Sequence, residues 1–155
     1  MLFNVLISVF WAEISHAKAL KDKNKLLKIY KELLLIACGV FILTLCFTFF
    51  VPKIITFWTK GVISASLIQL LPFVLLISIQ IFSYVGAVFL NAFEDIKGQV
   101  VFSVIAAILI IPLAKYLFYI HMGIGSVPLA SAIVCSPGLV YLLYKSRICI
   151  KNLNE

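Results

Sequence analysis

Residues 61–93 read GVISASLIQLLPFVLLISIQIFSYVGAVFLNAF, a stretch of 33 residues without a charged side chain. A helix that crosses a bilayer needs about 20 predominantly apolar residues to cover ~30 Å of hydrocarbon. The stretch is long enough for one crossing but too short for two crossings and a turn. We therefore expect one transmembrane helix at residues 63–93, with its N-terminal part in the membrane interface and a bend at Pro72.

Three further charge-free stretches surround this one, at residues 33–51, 98–114 and 122–144. The second extends to residue 120 if Lys115 directs its ammonium group toward the headgroups. The whole chain is 64% hydrophobic and 12% charged, whereas soluble domains carry about a quarter charged residues. The sequence predicts an all-α, polytopic transmembrane bundle (residues 33–144) with four full spans at 33–51, 63–93, 98–120 and 122–144.

The N-terminal residues 1–11 form an apolar run that is too short to cross a membrane. No basic residue precedes this run, which argues against a secretory signal peptide. We interpret it as the end of a helix whose beginning is missing, so that the chain is a fragment. The alternative is an N-terminal helix that lies in the membrane interface. Residues 12–32 are expected to form a basic loop that is partly an amphipathic helix, and residues 145–155 a tail.

The basic residues divide unequally between the two sides of the predicted bundle. Six lie in residues 12–32, one is Lys97 and three follow Tyr144, whereas only Lys53, Lys60 and Lys115 fall on the other side. Because basic loops tend to remain in the cytoplasm, the first loop and the C-terminus are expected to be cytoplasmic. The net charge of +7 thus reflects membrane topology. We therefore expect the lipid bilayer to be a partner of the protein, and we expect no binding of nucleic acid.

Four lysines of the first loop, Lys18, Lys21, Lys25 and Lys28, are spaced three, four and three residues apart. This spacing places them on one face if the segment is helical, although the run from Asp22 to Asn24 can interrupt the helix. Such a face would attract anionic headgroups with ~1 kcal/mol per lysine. These lysines are the expected membrane-surface contact. The alternative is a topological anchor that binds no ligand.

Residues with catalytic or metal-binding chemistry are few and scattered. His16 and His121 fall on opposite sides of the predicted membrane and cannot share a metal ion. The cysteines lack CxxC spacing and are expected to act as small packing residues. No carboxylate lies within a predicted span, since the acidic residues are Glu13, Asp22, Glu32, Glu94, Asp95 and Glu155. The sequence predicts no enzyme, no catalytic residue, no metal site and no cofactor.

Three amide side chains in the spans, Gln69, Gln80 and Asn91, carry more information. An amide that faces lipid leaves its donors unpaired, so these residues should face another helix or a wet cavity. Gln69 and Gln80 lie 11 residues apart and should share a helix face. Two interpretations stay open, namely hydrogen bonding between helices and the lining of a transport path.

Several segments occur in an order typical of one transporter family. The chain contains FWAEISHA at residues 10–17 and KALKDKNKLLKIYKELLL at 18–35, and then PKIITFW at 52–58. These are followed by VFLNAFEDIKGQV at 88–100 and HMGIGSVPLASAI at 121–133. In this order and spacing the chain resembles the C-terminal part of the polysaccharide and O-antigen flippases, within the multidrug/oligosaccharidyl-lipid/polysaccharide transporter superfamily.

The resemblance implies a specific function and a missing partner. Such proteins have about 12 helices in two lobes and work by alternating access, and this chain looks like the end of the eighth helix followed by helices nine to twelve. They move undecaprenyl-diphosphate-linked oligosaccharide across the bacterial cytoplasmic membrane. The resemblance therefore implies the N-terminal lobe of the same transporter as a partner. Its candidate substrate-path residues here are Gln69, Gln80, Asn91 and Lys115.

Two other functional classes stay open at the level of sequence. The first is a related antiporter of drugs or small molecules, which would be favoured by an intramembrane Asp or Glu in the missing half. The second is a small structural membrane protein without transport activity. It would be favoured if the 155-residue chain alone inserted and formed a stable oligomer that a partner required.

Overall fold

The computed structural model describes residues 2–153, and within them the chain is helical and contains no strand. Six α-helices are connected by short turns, with one 3-10 turn at Gly123–Gly125. In chain order they are α1 (Leu2–Ala19), α2 (Lys23–Thr48), α3 (Val51–Trp58), α4 (Leu67–Ala92), α5 (Lys97–Tyr119) and α6 (Ser126–Lys151). By length and composition α2, α4, α5 and α6 can each cross a membrane. The expected fold class, an all-α bundle with four full spans, is confirmed.

The segment at residues 12–32 is not a loop, which corrects the expected division of the chain. It comprises the end of α1, a turn at residues 20–22 and the start of α2. The turn forms because Asp22 caps α2, its Oδ1 accepting a hydrogen bond from the backbone N–H of Lys25 at 2.9 Å, while Lys21 has a left-handed backbone (φ 53°). The four spaced lysines therefore do not share one helix face. Lys18 lies on α1, Lys21 in the turn, and Lys25 and Lys28 on α2.

The other helix boundaries also differ from the predicted ones, because some helices continue through polar residues whereas others begin or end at them. α6 continues to Lys151, so most of the expected tail is helical. Residues 61–66 are not helical, and α4 begins only after Ser66. The segment PKIITFW forms its own short helix, α3, with Pro52 in its first turn, where a missing backbone N–H costs little. Of the N-terminal run, Met1 lies outside the described residues, and the rest belongs to α1.

Helix α4 is the centre of the bundle, since it packs against α1, α2 and α6. We call the end of the bundle where α1, α4 and α6 end the basic end, and the opposite one the far end. The main buried cluster lies toward the basic end and comprises Ile14, Ala17, Leu26, Ile29, Tyr30, Leu33, Ala37, Ile81, Val85, Val88, Phe89, Ala92 and Ile150. No residue of α2 beyond Ala37 is buried.

Helices α4 and α5 are separated from each other. Both α4 and α5 pack along α6 but make little contact between themselves. Large apolar side chains on the outer faces of α2 and α5 are exposed, among them Leu43 and Ile108. Exposed apolar surface of this extent is typical of a protein that is embedded in lipid.

Candidate functional site

A cleft of about 420 Å³ lies between α4 and α5, with α6 as its floor. Most of its lining is apolar, as expected for a small-molecule site within a helical bundle. A minority of the lining side chains carry hydrogen-bonding groups, and these are Gln80, Ser83, Tyr84, Gln99 and Ser103. Cys135 of α6 also lines the cleft. The cleft therefore holds two amides and three hydroxyl groups within a largely apolar lining.

Packing between α5 and α6 determines the position of one cleft wall. Gly138 of α6 lies opposite Phe102 of α5, and a Cβ at this glycine would lie 3.6 Å from the Cβ of Phe102. The Phe102 ring in turn packs on Tyr141 with 5.0 Å between ring centroids. The Tyr141 hydroxyl lies directly against Gly98, in space that a side chain there would fill. These contacts hold α5 on α6 and away from α4.

The α4–α5 turn is attached to α6 by an ion pair at the basic end. The Nζ atom of Lys145 lies 3.2 Å from Oδ2 of Asp95, and about a third of each side chain is exposed. Asp95 follows Glu94, whose backbone is left-handed (φ 63°), so the chain reverses sharply between the two helices. The pair thereby fixes the end of the cleft that lies nearest to the turn.

The candidate path residues lie in different environments, and one of them lines the cleft. Gln80 is in the cleft wall on α4. Gln69 instead caps α4, since its Oε1 accepts a hydrogen bond from the backbone N–H of Ser66 at 3.0 Å. Asn91 lines a shallower groove beside the cleft, where its Oδ1 accepts a hydrogen bond from Nε2 of Gln99 at 3.1 Å. Lys115 is exposed on α5 toward the far end.

Sequence reasoning missed Gln99, which lines both the cleft and the groove beside it. It lies two residues after Lys97, at the start of the predicted span at residues 98–120, and was not considered with the other three amides. The available signal was its spacing from Ser103, four residues later, which puts both polar groups on one face of α5. That face is the one that borders the cleft.

The four spaced lysines mostly contact protein groups at the basic end. Lys18 donates from Nζ to the carbonyl oxygen of Ala92 at 3.0 Å and lies 3.8 Å from a Glu94 carboxylate oxygen. Lys25 pairs with Glu13 at 3.5 Å. Lys28 lies 4.0 Å from Glu32 on the same helix and is largely exposed. Contact of these lysines with anionic lipid stays a prediction, and the geometry assigns Lys18 and Lys25 to contacts between helices.

The chain matches no protein-family model, no curated protein and no solved structure. We therefore infer function from the chemistry of the cleft and of the basic end.

Proposed function

We propose that this protein is part of a membrane transporter that moves a lipid-linked oligosaccharide along the cleft between α4 and α5. The observation that carries the proposal is the presence of Gln80, Gln99, Ser83 and Ser103 in one largely apolar cleft. Neutral amides and hydroxyls are the hydrogen-bonding partners that sugar hydroxyls need when they leave water. The apolar remainder suits a lipid tail that stays in the bilayer.

The polar groups of the cleft suit the hydroxyl groups of an oligosaccharide. Proton and sodium sites within membranes are built around carboxylates; among the described residues no Asp or Glu lines this cleft, so an ion-coupled antiporter would need its carboxylate in the N-terminal lobe. The cleft volume lies within the ~300–1,000 Å³ of small-molecule sites, which is enough for one part of an oligosaccharide at a time. Following the resemblance above, we propose that the N-terminal lobe completes the substrate path.

We further propose that the protein resides in the bacterial cytoplasmic membrane with its basic end in the cytoplasm. This orientation follows from the ten Lys and Arg residues expected on that side. Labelling Lys21→Cys, in the exposed α1–α2 turn, with a membrane-impermeant thiol reagent tests it in a background that lacks the four native cysteines. Intact cells should leave the residue unlabelled, and permeabilised cells should label it. Labelling in intact cells would overturn the orientation.

The transport proposal is tested by gene deletion and by replacement with cleft variants. Deletion should abolish surface polysaccharide in a strain that has no second flippase. Gln80→Leu should lower the rate at which surface polysaccharide appears about two- to twelvefold, since a hydrogen bond is worth ~0.5–1.5 kcal/mol. Gln69→Leu is the matched control because Gln69 lies outside the cleft, and it should retain the normal rate at equal protein level. Unchanged polysaccharide after deletion would refute the proposal.

A further inference from the structure

A second concave surface lies between the start of α2 and the end of α6, and we call it the basic groove. It has a volume of about 380 Å³ and is lined by four cationic side chains together with three apolar or aromatic ones: Lys23, Lys31, Arg147, Lys151, Leu27, Tyr30 and Leu34. Among residues 2–153, which the structure describes, no carboxylate is part of this lining. The groove therefore concentrates four positive charges at one edge of the bundle.

The groove is built by contacts between the two helices. Nζ of Lys23 donates to the carbonyl oxygen of Lys151 at 2.9 Å, which completes the C-terminal end of α6. The guanidinium of Arg147 lies over the ring of Tyr30 at 5.7 Å, and the Tyr30 hydroxyl donates to the carbonyl oxygen of Leu143 at 3.4 Å. Arg147 is thus held across an aromatic face with its planar donor groups at the groove.

The cations of the groove are not neutralised by the carboxylates nearby. In the described part of the chain, the salt bridges within 4.0 Å engage Lys18, Lys25, Lys28 and Lys145. Glu32 follows Lys31 directly but lies against Lys28, on another side of α2. Within the described residues, no carboxylate competes with an anion that enters the groove.

The order of side chains along α2 changes from charged to apolar. Lys23 is at the start of the helix, Lys31 lies about 12 Å further along at ~1.5 Å per residue, and Leu34 lies almost one turn beyond Lys31. Leu27 sits between the two lysines on the same face. A ligand that follows this surface needs a negative headgroup at the basic end and a hydrocarbon chain toward the membrane interior.

We propose that the basic groove binds the phosphate headgroup of an anionic phospholipid from the leaflet at the basic end. Arg147 supplies the planar donors that suit a phosphate, and the lysines supply additional charge. Leu27 and Leu34 contact the first part of an acyl chain. The lipid would bridge α2 and α6 and so stabilise the bundle where few buried residues join these two helices. This site is separate from the cleft between α4 and α5.

The experiment uses the protein purified in mild detergent, with phosphatidylglycerol and phosphatidylcholine as probes. Native mass spectrometry should show bound phosphatidylglycerol and little phosphatidylcholine. The double variant Lys31→Gln/Arg147→Gln should weaken phosphatidylglycerol binding by about tenfold or more, since each cation near an anionic surface contributes measurably. Lys53→Gln/Lys60→Gln removes the same charge at the far end, outside the groove, and should bind as the unmodified protein does.

Two further measurements keep the proposal falsifiable. Lys31→Gln alone leaves the contact between Arg147 and Tyr30 intact, so it should fold normally and still lose part of the binding. Inorganic phosphate at millimolar concentration should not displace the lipid; displacement would assign the groove to a soluble anion instead. Equal phosphatidylglycerol binding by the groove and control variants, or equal binding of the two lipids, would overturn the proposal.

Discussion

Gly86 of α4 crosses α6 so closely that a Cβ atom added at Gly86 would lie 2.7 Å from the backbone carbonyl carbon of Leu142. A second close approach occurs toward the far end, where a Cβ at Gly125 would lie 2.9 Å from Cγ of Pro72. Small residues at such positions let helices in lipid approach each other and gain van der Waals contact. Helices α4 and α6 therefore form a closely packed pair, and the cleft lies between this pair and α5.

A larger side chain at Gly86 should separate α4 from α6. The nearest atoms are the backbone carbonyl group and the Cβ of Leu142, which no side-chain rotation can move away, so Gly86→Val should lower the free energy of unfolding by about 1–3 kcal/mol. Gly39→Val is the matched control, because a Cβ there meets nothing within 4 Å. Thermal unfolding in detergent, followed by size-exclusion chromatography of a fluorescent fusion, measures both. Equal midpoints for the two variants would contradict the close crossing.

The ion pair between Asp95 and Lys145 should stabilise the α4–α5 turn by a small amount. Because about a third of each side chain is exposed, solvent screening keeps the coupling energy between the two charges small. A double-mutant cycle with Asp95→Asn and Lys145→Gln measures this coupling by thermal unfolding. The same cycle on Lys28 and Glu32, whose pair is longer and more exposed, should give less. Zero coupling between Asp95 and Lys145 at low salt would contradict the pair.

Lys18 should contribute to stability through its ammonium group. Its Nζ satisfies the carbonyl of Ala92 at the end of α4 and lies 5.4 Å from the centroid of the Phe93 ring. Lys18→Met keeps the apolar stem and removes the charge, so it should cost about 1 kcal/mol, less than a fully buried charged hydrogen bond. Lys21→Met, in the exposed turn, should have no effect. If the two variants have the same unfolding midpoint, Lys18 contributes to membrane topology and not to stability.

The number and location of the spans followed directly from the sequence, because lipid excludes charge over a length that a helix must cover. The first and last residues of the helices could not be predicted in this way, because charged residues in the membrane interface can either continue a helix or follow its end. α2 starts at Lys23 because of the Asp22 cap. That local hydrogen bond outweighs the high charge of the segment.

The cleft could be predicted only in part. An amide at Gln80 signalled a polar surface within a span, but Gln69 has the same side chain and serves as a helix cap. The difference comes from the position of Ser66 three residues earlier, which forms a capping box with Gln69. The basic groove was beyond sequence reasoning, because Lys31 and Arg147 are more than a hundred residues apart and meet only when α2 packs beside α6.

Water access distinguishes a transport cleft from a gap filled by lipid. Ser103 lines the cleft, whereas Ile108, one and a half turns along the same helix, is 67% exposed on the outer apolar surface. Because thiolates form in water and hardly at all in hydrocarbon, Ser103→Cys should react with a hydrophilic thiol reagent about tenfold faster than Ile108→Cys. Both variants should react equally after denaturation in detergent, which controls for protein amount. Equal and slow reaction in the membrane would show a dry cleft and would remove the main support for a polar substrate.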